Sequence, residues 1–99
     1  MRNDEEVKRD VQALFEAWSV GSGVSDFCGD LLRGLHRGEG TVDVRAVPRL
    51  DASNFNASVG LMIAARYGFP IDGIRSYLDE RQFAALFAEP DAGPSGPSI

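Results

Sequence analysis

The sequence predicts an all-α fold: a small, irregular bundle of four to five short helices that opens with a helical hairpin. Three observations predict it. Apolar residues recur at about 3.6-residue spacing in several segments. Capping and helix-stopping residues bracket those segments. The one alternating stretch, Val42 and Val44, has no partner to pair with, and a lone strand is not stable by itself.

The first helix is expected over residues 4–19. Val7, Val11, Leu14, Phe15 and Trp18 make one face. Asn3 or Asp4 caps it, and Glu5 and Glu6 complement the dipole in the first turn. Gly21, Ser22 and Gly23 break it. The second helix carries Val24, Phe27, Cys28, Leu31, Leu32 and Leu35 on its stripe. Ser22 or Ser25 is its expected cap. Arg33, His36 and Arg37 sit toward the C-terminal end, and Gly38 stops it. The short link between the two helices implies an antiparallel hairpin.

Residues 39–50 form an extended or one-turn connector, with Pro48 ending any helical turn. The third helix starts at Asp51 or Ser53. Phe55, Val59, Met62, Ile63 and Tyr67 are its expected buried face, while Ala52, Ala57, Gly60, Ala64 and Ala65 allow a neighbouring helix to approach. Gly68 and Pro70 end it. Asp72 caps a short helix with Ile74, Tyr77 and Leu78. Asp79 and Gln82 then have the spacing of a capping box, ahead of Phe83, Leu86 and Phe87. The two apolar faces do not line up at 3.6 residues per turn, so a kink or two separate helices is expected. Residues 1–89 thus read as one helical domain, and residues 90–99 as a disordered tail rich in Pro, Gly and Ser.

Charge narrows the function classes. The net charge is −5, which disfavours non-specific binding to nucleic acid or anionic membrane. The acids dominate everywhere except residues 33–49, where Arg33, Arg37, Arg45 and Arg49 face only Glu39 and Asp43. The polar N-terminus lacks the apolar run of a signal peptide, and Val59 to Ala65 is too short to span a bilayer. The single cysteine excludes an internal disulfide and fits a reducing, cytoplasmic setting.

No reactive constellation emerges. His36 is the only histidine and reads as a surface or cap residue near a helix end. Cys28 reads as a buried small hydrophobe, since a nucleophilic thiol wants exposure and a cationic neighbour. The glycines at 21, 23, 38 and 40 lack the Lys-Ser/Thr of a phosphate loop. Asn56-Ala57-Ser58 matches a glycosylation sequon but falls within a helix. Asp43, Asp51 and Asp72 are too dispersed for a carboxylate cluster. No cofactor, no metal and no enzyme activity is expected.

Two surfaces remain as candidates for a partner. Arg33 and Arg37 are one helical turn apart and, with Arg45 and Arg49, form a potential basic patch for phosphate or an acidic protein. The plainer reading is that they pair with the chain's own acids. Glu5, Glu6 and Asp10, with Asp4 and Glu16, make the outer face of the first helix acidic, either as a solvated face or as a dock for a basic protein. A chain this small cannot enclose six Phe, a Trp and two Tyr completely. Some apolar surface is left for another protein or a second copy, and the two C-terminal helices are the natural place for it.

Val24-Ser-Asp-Phe27, the Gly-containing break, Val42-Asp-Val44, Leu50-Asp51 and the helix carrying Leu61-Met62 and Ile63-Ala64 resemble a family of small helical proteins from proteobacterial plasmids and integrated elements. The resemblance covers less than half of the chain and carries no catalytic motif. It implies a mobile-element origin and no known activity. The expected function is a non-enzymatic protein-binding accessory or inhibitor. The alternative is a small nucleic-acid-associated regulator that uses the four arginines.

Overall fold

The computed structural model describes residues 3–21, 24–68 and 73–88. These residues form five α-helices and one 3-10 helix, with no strand among them: α1 (Asp4–Val20), α2 (Ser25–Arg37), a 3-10 helix (Val44–Arg49), α3 (Ala52–Arg66), α4 (Gly73–Tyr77) and α5 (Glu80–Phe87). The expected all-α bundle is what the chain adopts. Asp72 and the tail at 90–99 lie outside the described residues.

Local chemistry sets the helix ends. Asn3, not Asp4, caps α1: its Oδ1 accepts from the Glu6 amide at 2.8 Å, and Glu6 Oε1 accepts from the Asn3 amide at 3.2 Å. The two orphan amides are thereby satisfied reciprocally. Gly21 ends the helix in the left-handed region at φ 79°, where a Cβ would be strained. No side chain caps α2; Val24 occupies that position and Ser25 is already helical. The other proposed cap, Ser22, lies outside the described residues. Asp51 caps α3 by accepting from the Asn54 amide at 2.8 Å.

The connector becomes a 3-10 helix that runs through Pro48. It is started by Asp43, whose carboxylate accepts from the Arg45 amide at 3.0 Å. The C-terminal segment divides into two helices, as the mismatch of apolar faces required. Asp79 and Gln82 form the capping box that starts α5: the Gln82 amide donates to Asp79 Oδ1 at 2.7 Å, and the Asp79 amide to Gln82 Oε1 at 3.0 Å.

The core is one cluster. Val7, Val11 and Leu14 of α1 meet Phe27, Cys28, Leu31 and Leu32 of α2, with Ala57 and Leu61 of α3. Ile74, Leu78 and Leu86 bring in the C-terminal helices. α1 packs on both α2 and α3, α4 leans on α2 and α1, and α5 leans on α2. Each fully buried leucine contributes on the order of 2 kcal/mol by area.

A polar clamp ties the two ends of the chain together. Gln12 Nε2 donates to the Tyr77 carbonyl at 2.8 Å, and Gln12 and Gln82 exchange amide hydrogen bonds at 3.0 and 2.9 Å. Gln82 therefore serves both the α5 cap and the contact with α1. Gln82→Ala should lower stability by about 1–2 kcal/mol, since two part-buried bonds go with it, and urea midpoints would read the loss. A cost equal to that of an exposed surface alanine would mean the clamp is ornamental.

Candidate partner-binding surfaces

The two expected surfaces are built differently from the sequence reading. Arg33 does not project freely. Its Nε donates to the Leu86 carbonyl at 2.8 Å, its guanidinium lies 5.5 Å from the Trp18 ring centroid, and Asp30 is 3.5 Å away. It holds the end of α5 onto α2. Arg37 is exposed, with its guanidinium 5.1 Å from the centroid of Phe87. Arg45 is held by Asp43 through two side-chain bonds of 3.0 and 3.2 Å, and this hydrogen bonding keeps the Asp43 carboxyl below its usual range. Arg45 and Arg49 line one cleft of about 390 Å³ together with Asp26, Asp30 and Asp43. Arg33 and Arg37 thus turn to α5 while the other pair faces carboxylates.

The acidic face of α1 needs one correction. Asp10 is buried, at 5% exposure, so it is not part of an outer face. Its spacing explains this: Asp10 lies three residues after Val7 and four before Leu14, on the same side as both. Glu5 remains exposed, and Glu6 is half-buried with one carboxylate oxygen committed to the capping box. Lys8 and Arg9 line the same shelf as Glu5 and Glu6, so the surface there is mixed in sign.

The largest departure is α3. The residues expected to be buried face outward: Phe55, Met62, Ile63 and Tyr67 are 43%, 45%, 39% and 65% exposed, while Val59 is half-buried. The buried side is the small one, made of Ala57, Ser58, Gly60 and Leu61. The cause is steric. α3 has apolar residues on two opposite sides, and its small face lets α1 come close, so the larger side chains are turned away from the core. A soluble helix ordinarily has one apolar stripe, turned to the core, and here a second is left facing out. The exposed large apolar residues among the described part of the chain are Val20, Val44 and these four. None is on α4 or α5, where leftover apolar surface was expected.

The C-terminal helices instead close over an aromatic cluster. The His36 ring lies 5.0 Å from both Phe83 and Phe87 by centroid, and those two rings are 4.7 Å apart. The Arg75 guanidinium caps Phe83 at 4.6 Å. His36 is accordingly half-buried against α5, not a simple surface residue. The cluster depends on α5 being started correctly. Asp79→Ala removes that start and should cost about 0.5–2 kcal/mol, with loss of near-ultraviolet dichroism from the rings. Unchanged near-ultraviolet signal would contradict this dependence.

Cys28 is fully buried in the core, as its position on the α2 stripe required. Burial, reinforced by the Asp51 carboxylate, pushes its thiol above the ordinary value. The folded chain therefore holds this proton more tightly than the unfolded chain does. Its stabilising effect is complete below the unfolded thiol pKa of about 8.5 and is lost as pH rises from there toward the folded value. Stability should fall as pH rises above about 8.5, and fall less in Cys28→Ala. Equal slopes in the two proteins would refute this.

A groove of about 360 Å³ runs between the end of α2, the connector and α3, lined by Leu31, Gly34, Leu35, Gly40, Val42 and Ala65 among others. No group of His, Cys, Asp and Glu among the described residues is placed to hold a metal ion. No helix there is long and apolar enough to cross a membrane. No protein-family model, curated protein or solved structure matches the chain.

Proposed function

We propose that this chain is a non-enzymatic protein-binding module that docks through the outward face of α3. The observation that carries the reading is the row Phe55, Val59, Met62, Ile63 and Tyr67, which presents large apolar side chains on a helix whose other face already fills the core. Such surface stays exposed at a free-energy cost that a partner removes. The scattered, internally engaged arginines and the mixed-sign shelf on α1 offer no comparable target. Work as an accessory or inhibitor in the cytoplasm, on a protein of a plasmid or integrated element, is the setting that the resemblance of residues 24–67 adds to this proposal.

The test uses the full chain as immobilised bait in native lysate that also contains a differently tagged copy of the same chain. The reading expects a protein chain, foreign or its own, to be retained by the wild type and lost with Met62→Glu. Far-ultraviolet dichroism of Met62→Glu should be unchanged. Identical retention by both baits, or none by either, would overturn it.

A further inference from the structure

We infer that the outward face of α3 is covered by the same face of a second copy, with the two helices antiparallel across a two-fold axis. This rests on the reading of α3 as the docking face and names its occupant. Phe55, Val59 and Met62 follow a four-three spacing, the apolar seam that one helix offers to another, and Arg66 lies four residues further on, at its end. The occupant is therefore a helix.

Charge selects which helix and which direction. Two copies of a chain with net charge −5 repel over most of their surface. Among the described helices longer than six residues α3 alone carries no carboxylate, from Ala52 to Arg66, whereas α1, α2 and α5 each begin with acid; α4 and the 3-10 helix also lack acid but are only five and six residues long. The charges flanking the seam are Asp51 at its start and Arg66 at its end, both exposed. A parallel pair would set like against like at both ends. An antiparallel pair brings each Arg66 to the end that holds the other copy's Asp51, and opposes the two helix dipoles.

The area agrees with a concentration-dependent dimer. Side chains of order 200 Å² each, at the exposures given above, supply roughly 400 Å² of apolar surface per copy. The pair thus has roughly 800 Å² of such surface to cover, to which the polar flanks of Asn56 and Arg66 add, and interfaces of this small size belong to weak, transient association. Area does not fix affinity; a dissociation constant on the order of micromolar is the expectation put to the test.

Sedimentation equilibrium of the full chain tests the inference. The mass should rise from 10.7 kDa toward twice that value over about 1–500 μM, the span that contains a micromolar constant. Met62→Glu should weaken association at least tenfold without loss of helix. Direction is tested in a Cys28→Ala background under mild air oxidation. Val59→Cys, nearest the axis, should link to its own copy. Phe55→Cys and Arg66→Cys should link to each other in a mixture but not to themselves. Self-linking at all three positions would overturn the antiparallel arrangement. A wild type that stays monomeric throughout would overturn the dimer. If the bait then still retains a foreign protein in a Met62-dependent way, the docking face stands with a different occupant; if it does not, both proposals fail.

Discussion

Leu61→Ala should destabilise the fold by about 2–5 kcal/mol, while Phe55→Ala, which removes a larger side chain from the same helix, should cost under about 1 kcal/mol. Leu61 is fully buried at the centre of the α3 face that meets the core, so its removal leaves a cavity walled by close-packed neighbours. Phe55 is 43% exposed, and its loss uncovers little. The contrast in urea denaturation at low micromolar protein, where any dimer has dissociated, is the readout. A domain of this size has only about 5–10 kcal/mol in hand, so Leu61→Ala brings it toward the edge of folding. Equal costs for the two substitutions would mean that α3 is rotated from the orientation described.

Gly29→Val is the second large effect, of about 1–3 kcal/mol from overpacking. A Cβ at Gly29 would come 2.6 Å from Trp18 Cδ1 and 2.9 Å from Nε1. The Cδ1–Nε1 edge of Trp18 can come this close to the α2 backbone because Gly29 has no side chain there. Its ring is also fixed by Phe15, at 5.4 Å between centroids, and by the Arg33 guanidinium. Helix propensity favours replacing glycine, so the steric term must exceed it for the fold to weaken. The substitution should also shift Trp18 fluorescence to longer wavelength as the ring is pushed toward water. A stabilised variant with unchanged emission would show that Trp18 is not seated on Gly29.

The elements were legible because local chemistry and pattern agree. The α1 and α2 stripes, Gly38 as the stop of α2, and the Asp79–Gln82 box all sit where spacing and capping place them. What periodicity could not choose was the face of α3. With Ala57, Gly60 and Leu61 on one side and Phe55, Met62 and Ile63 on the other, both sides read as apolar, and size pointed to the wrong one. The small residues carried the signal: their stripe marks where another backbone can come close. Asp10 is a related case: its charge points to an outer face, but its spacing from Val7 and Leu14 puts it on the buried one. The Gln12–Gln82 clamp and the His36 aromatic cluster join residues 70 and about 50 positions apart, and such pairings have no local signature. Leftover apolar surface is expected from the surplus of aromatics, but tertiary packing leaves it on α3 and not on the C-terminal helices.

The orientation of α3 is the claim on which the docking face, the dimer and the stability contrast all depend. Thiol accessibility reads it directly. In a Cys28→Ala background, Leu61→Cys and Met62→Cys place a single probe on neighbouring residues, the first buried and the second exposed. At low micromolar protein and neutral pH, the thiol at position 62 should react with a maleimide at nearly the rate of a free peptide thiol, and the thiol at position 61 should be slower by 100-fold or more, an order-of-magnitude figure set by the opening free energy of the core. The reverse order, or equal rates in a folded protein, would contradict the account.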